Sequence, residues 1–80
     1  MKQVLTDIAR AIVESPESVV VTESVEGNTV FLELCVAAGD MGKVIGKQGK
    51  IAKAIRTVVK ATAIRDNKHV VVDIVSDEEK

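Results

Sequence analysis

The sequence predicts an α+β fold in the order α-β-β-α-α-β, with three helices packed on one face of a three-stranded sheet. Three observations carry this reading. Apolar residues recur at helical spacing in two long segments, and three further segments are rich in β-branched residues. Chain breakers fall between the segments: Ser15-Pro16, Glu26-Gly27-Asn28, Ala38-Gly39-Asp40, Gly46 with Gly49, and the run Arg65-Asp66-Asn67-Lys68. Finally, 80 residues make one domain at most, with a small aliphatic core in which Phe31 is the only aromatic residue.

The first helix is expected over residues 3–14. Val4, Leu5, Ile8, Ala9 and Ile12 share a face, and Pro16 ends it by driving Ser15 out of the α region. Residues 18–25, with Val19, Val20, Val21 and Thr22, form a strand that turns back at Gly27 through a bulged or three-residue loop. In the returning strand, residues 29–37, Val30, Leu32, Leu34 and Val36 alternate with Phe31, Glu33, Cys35 and Ala37. The valine-leucine set belongs under the helices, which leaves Phe31 and Cys35 partly exposed.

Asp40 is placed to N-cap a short helix over residues 41–45. A longer helix runs from about 50 to 64, with Ile51, Ile55, Val58, Val59 and Thr62 on the packing side and Lys50, Lys53, Arg56 and Lys60 opposite. After a turn, residues 69–75 make the last strand, Val70, Val72 and Ile74 facing one way and Val71, Asp73 and Val75 the other. The polar tail, residues 76–80, is expected to fray. Internal repeats and linkers are absent from the sequence.

Between the short and the long helix lies the stretch that carries chemistry. Gly46 and Gly49 bracket Lys47 and Gln48. Glycine adopts positive φ and lets another backbone approach, so this pair permits a tight exposed turn against which a sugar-phosphate chain can lie. Lys47 adds charge and Gln48 hydrogen-bonding capacity. The N–H groups opening the following helix present a positive dipole end to the same place.

The run Val44-Ile45-Gly46-Lys47-Gln48-Gly49-Lys50-Ile51 resembles the (I/V)-I-G-x-x-G signature of KH domains, whose GxxG loop clamps the backbone of about four single-stranded nucleotides. Over nearly its full length the chain is similar to small bacterial single-KH proteins of the KhpA type. The element order matches the type II KH domain, three helices on one face of a three-stranded mixed sheet, and makes residues 1–80 a single KH domain. The resemblance implies phosphate contacts at Gly46, Lys47, Gln48, Gly49 and Lys50, and an apolar floor from Val44, Ile45 and Ile51. Lys43 and Lys53 would flank the groove, Arg56 and Lys60 extend it, and the middle strand around residues 33–36 would read bases. It further implies a post-transcriptional regulator or RNA chaperone linked to cell envelope growth, acting as a homodimer or with a larger KH-containing RNA-binding protein.

Net charge is only −1, but the charges are segregated. Residues 11–40 hold six acids and no base; residues 41–65 hold seven bases and no acid. Ordinary solvated helices mix signs for i,i+4 support, so this pattern reads as one cationic face able to steer a polyanion. Without Trp or Tyr there is no aromatic stacking platform, which excludes an RRM- or OB-like surface and implies modest affinity from one domain. Dimerisation or a second RNA-binding chain would offset that by effective concentration.

Other functions find little support. Met41 and Val44 stand where a P-loop needs its first glycine, Val44 and Ile51 where it needs Ser or Thr, and Val44 also blocks a G-x-G-x-x-G reading. His69 opens a strand without an evident partner, and Cys35 lies mid-strand without a basic activator, so no catalytic residue, metal or cofactor is expected. Apolar runs fall well short of the roughly 20 residues that span a bilayer, and no signal-like segment opens the chain; a cytoplasmic protein with no membrane or small-molecule partner is expected. Two alternatives remain. One is a KH-shaped protein-interaction module, disfavoured by a base and no acid at Lys47-Gln48. The other is a single-stranded DNA binder, since only 2′-OH contacts would separate RNA from DNA.

Overall fold

A computed structural model describes residues 2–65 and 67–78 and shows the expected order: α1 (Lys2–Ile12), β1 (Val20–Glu26), β2 (Thr29–Val36), α2 (Met41–Ile45), α3 (Lys50–Arg65) and β3 (His69–Ser76). The sheet order is β1-β2-β3, so β2 is central, antiparallel to β1 and parallel to β3. The parallel pair follows from connectivity, because the chain must cross over through α2 and α3 to return alongside β2. No helix among the described residues is long and apolar enough to cross a membrane.

Alternation in β2 places its side chains as expected: Val30, Leu32, Leu34 and Val36 are buried with Leu5 and Ala9 of α1, Val44 of α2, and Ile55 and Val59 of α3. Three local expectations need correcting. The β1–β2 register pairs Glu26 with Thr29, so the hairpin closes through two residues, without a bulge or third loop residue. Gly27, at φ 58°, supplies the positive φ that such a turn requires at its first central position. Cys35 is buried, at 4% exposure, although it faces away from the helices. Its register neighbours Val20 and Val75 flank the small thiol on either side, while the larger Phe31 stays 37% exposed.

Asp40 does not cap α2 through its side chain. Its buried carboxylate instead accepts hydrogen bonds from the N–H groups of Glu14 (3.2 Å) and Ser15 (3.1 Å), where the chain leaves α1. This contact joins the end of α1 to the start of α2, and α1 accordingly stops at Ile12 rather than reaching residue 14.

α3 is turned on its axis relative to expectation. Its buried residues are Ala52, Ile55, Val59 and Ala63, whereas Ile51 and Val58 are exposed. At about 100° per residue, the packing face lies roughly 60° from the one marked by the bulkiest apolar residues. The alanines account for it: small side chains let the helix axis approach the sheet closely, whereas isoleucine and valine there would hold it off. The turn brings Arg56 down onto the sheet, half-buried, with its Nε donating to the carbonyl of Val72 (3.2 Å).

α3 ends in a Schellman pattern: Lys68 N–H donates to Ala63 O (2.9 Å) and Asn67 N–H to Ile64 O (3.0 Å), with Asn67 at φ 57°. The tail is tied down at its start. Ser76 belongs to β3, Asp77 N–H donates to Val36 O (2.8 Å), and its carboxylate accepts from Ala38 N–H (3.2 Å). Asp66 of the turn and residues 79–80 of the tail lie outside the described residues.

Candidate nucleic-acid interface

α2 is one short turn, closed by Gly46 N–H donating to Gly42 O (2.9 Å). The chain then reverses within residues 46–49, where Gly46 (φ 74°), Gln48 (φ 58°) and Gly49 (φ 76°) all have positive φ. The two glycines serve different purposes. A Cβ on Gly46 would lie 2.5–2.9 Å from three side-chain carbons of Ile51, so this position requires a hydrogen for space as well as for conformation. Around Gly49 a Cβ would meet nothing within 4 Å, and conformation alone favours glycine there. Gln48 takes the left-handed region without that exemption (φ 58°, ψ 27°), a strained position of the kind concentrated at ligand-gripping loops. Lys47 and Gln48 project as exposed side chains, and α3 opens directly behind them.

Below the loop the expected floor divides. Ile45 and Ile51 are each 38% exposed, open to a ligand, whereas Val44 is fully buried and supports them from the core without surface of its own. Ile51 also lines an apolar groove of about 330 Å³ between α1 and α3, with Ile8, Ile12, Ala54 and Val58 and the stem of Lys50. Thus Lys50 and Ile51 lie toward α1. Lys53, Arg56 and Lys60 follow helical spacing along the other flank of α3, beside β3.

The cations near the loop are not equivalent. Lys47, Lys50 and Lys53 are exposed. Lys43 is held 2.7 Å from the carboxylate of Glu14 in a solvent-facing ion pair, worth at most about 1 kcal/mol and readily exchanged for a phosphate. Base reading by β2 meets an obstacle: β2 is paired along its length on both sides, and residues 34–36 are buried. The strand edge beside the cationic flank of α3 belongs to β3, an outer strand that pairs only with β2. No group of three or more His, Cys, Asp or Glu positioned to hold a metal ion occurs among the described residues.

A short helix, a glycine-bracketed turn and a basic helix, set on a mixed sheet of type II order, define a KH domain. Comparison with known proteins agrees. The family model described as KhpA/KhpB, KH domain, matches residues 2–74, and the chain belongs to that family. It is 57% identical over 75 residues to the RNA-binding protein KhpA of Clostridium acetobutylicum and 57% identical over 75 residues to that of Clostridium perfringens, covering 94% of this chain and 100% of each relative. To KhpA of Chlamydia trachomatis it is 44% identical over 77 residues, covering 96% of this chain and 99% of the relative. Among solved structures, Era bound to MgGDPNP and nucleotides 1506–1542 of 16S ribosomal RNA superposes with a TM-score of 0.63 at 17% identity, over 96% of this chain and 31% of Era. Aquifex aeolicus Era bound to GDP and aluminium fluoride gives 0.63 at 16% identity, over 94% and 29%. At such identity, and over under a third of Era, the likeness is one of fold.

Proposed function

We propose that this chain binds short single-stranded RNA, gripping about four nucleotides at residues 46–49 as a post-transcriptional regulator or RNA chaperone in the cytoplasm. The observation that carries the reading is the loop itself: exposed main chain with three positive-φ positions and Lys47 at its tip, directly ahead of α3 and its lysines. Relatives named RNA-binding proteins, matched across their whole length, support it. Phosphates meet the loop main chain, Lys47 and Lys50. Ile45 and Ile51 offer bases an apolar surface, Lys53 flanks them, and Lys43 joins once it leaves Glu14.

The same protein acts as a homodimer or beside a larger KH-containing partner. The apolar groove between α1 and α3 supports this, since Ile51 and Val58 leave hydrocarbon exposed that an interface would cover.

The test is a titration against a pool of short single-stranded RNAs and their DNA counterparts at two salt concentrations. The parent is compared with the double variant Lys47→Asp plus Gln48→Asp. Salt-sensitive RNA binding by the parent, lost in a variant whose circular dichroism is unchanged, is the expected result. Undiminished binding by the folded variant would remove the loop from the mechanism. Equal affinity for DNA would show a clamp that reads phosphate and shape without the 2′-OH.

A further inference from the structure

α3 and β3 lie side by side, and their contacts step along together. Arg56 reaches Val72; one turn later Lys60 shares a hollow with Val70; one turn further, Ile64 meets Lys68 and His69. This hollow has a volume of about 310 Å³. A second hollow of about 200 Å³ shares Ile64, Lys68 and His69 with it and adds the amides of Asn28 and Asn67. Together they form one continuous depression at the end of α3 opposite to the 46–49 loop.

The walls of this depression are fastened by hydrogen bonds. His69 N–H donates to Asn28 O (3.0 Å), and the Asn28 side-chain amide donates to Asn67 O (3.0 Å), which pins the β1–β2 hairpin against the turn after α3. The carbonyls of Ala63 and Ile64, which at a helix C-terminus would repel an anion, are occupied by the N–H groups of Lys68 and Asn67. The depression therefore presents two ammonium groups, an imidazole and an apolar wall in which Ile64 is 75% exposed. Cations beside an exposed aliphatic surface are what a nucleotide requires: charge for its phosphate and an apolar rest for its base.

We propose that this depression is a second anchoring point for the strand gripped at the loop, taking a phosphate at Lys60 and Lys68 and resting a base on Ile64. The proposal builds on the RNA-clamp reading and extends it. Lys60 lies ten residues along α3 from Lys50, about 15 Å at 1.5 Å rise per residue. An RNA held only at the loop is too short to touch both points, so affinity grows when the strand is long enough to span them.

The experiment compares a four-nucleotide and a ten-nucleotide RNA of uniform sequence on the parent, on Lys60→Gln plus Lys68→Gln, and on a charge-matched control, Lys2→Gln plus Arg10→Gln. All of these residues are exposed, and unchanged thermal unfolding confirms that the variants fold. The expected result is that Lys60→Gln plus Lys68→Gln narrows the parent's preference for the longer RNA by on the order of tenfold. It leaves four-nucleotide binding within about twofold and lowers the salt slope for the longer RNA by about 1.4, for two lost phosphate contacts at ~0.7 each. The control moves none of these. A length preference that survives the substitutions overturns the second anchor while leaving the clamp intact, and so does a control that erodes it equally. A parent that binds neither RNA overturns the clamp and the anchor together.

Discussion

Replacing Gly46 with alanine isolates the most sharply defined steric requirement in the domain. Gly46 sits at φ 74°, ψ 177°, a region essentially confined to glycine, and holding alanine there costs about 1–3 kcal/mol. The new methyl would also lie 2.5 Å from Ile51 Cγ1 and 2.8 Å from its Cβ. Because the Cβ is fixed to the α3 backbone, rotation of χ1 cannot clear it, and the overpacking adds roughly 1–3 kcal/mol. Gly49→Ala meets no neighbour within 4 Å and carries only the left-handed penalty, about 1–2 kcal/mol. The sequence has no Trp or Tyr for fluorescence, so urea unfolding is followed by far-ultraviolet circular dichroism. With a slope near 1–1.5 kcal/mol/M, a loss of ~3 kcal/mol moves the midpoint down by about 2–3 M. A domain this small has about 5 kcal/mol in total, so Gly46→Ala falls close to the edge of folding while Gly49→Ala remains well folded. The contact is then tested directly by adding Ile51→Ala: the double variant regains at least about 1 kcal/mol over the sum of the two single changes. Equal destabilisation at Gly46 and Gly49, or strict additivity with Ile51→Ala, would refute the reasoning.

Asp40→Ala strands the N–H groups of Glu14 and Ser15 and should cost about 2–4 kcal/mol in the same urea titration, with Asp40→Asn milder because its amide oxygen still accepts one bond. A loss no larger than that of an exposed carboxylate such as Glu17 would show that the α1–α2 tie carries little. Cys35, buried between its register neighbours, should resist a thiol-specific reagent in the native protein and react at once in denaturant; native labelling as fast as that of a free thiol would place it on the surface instead.

Element order and the location of the site were legible in the sequence because each rests on local physics. Val30, Leu32, Leu34 and Val36 mark a buried strand face by alternation alone. Pro16 ends a helical path, Gly27 requires a turn, and Gly46 with Gly49 marks the exposed reversal before α3. Segregation of acids before residue 41 from bases after it was likewise open to simple reading. The errors came where a residue's fate depends on what crosses above or beside it. Asp40 looks like a helix cap from its neighbours, yet its carboxylate meets the end of α1, some 25 residues away in sequence, which no local pattern can reveal.

The rotation of α3 has the same origin. Hydrophobic periodicity weights bulk and so selects Ile51 and Val58, whereas contact with a sheet selects for closeness and so buries Ala52 and Ala63. That rotation turned Arg56 onto β3, gave Lys60 to the same flank, and left Ile51 and Val58 on a groove against α1. Sequence alone thus determined which elements form, in what order, and where a glycine loop meets a basic helix. Only the packed structure decided which flank of that helix carries each cation, because the angle at which a helix settles on a sheet depends on all the side chains beneath it.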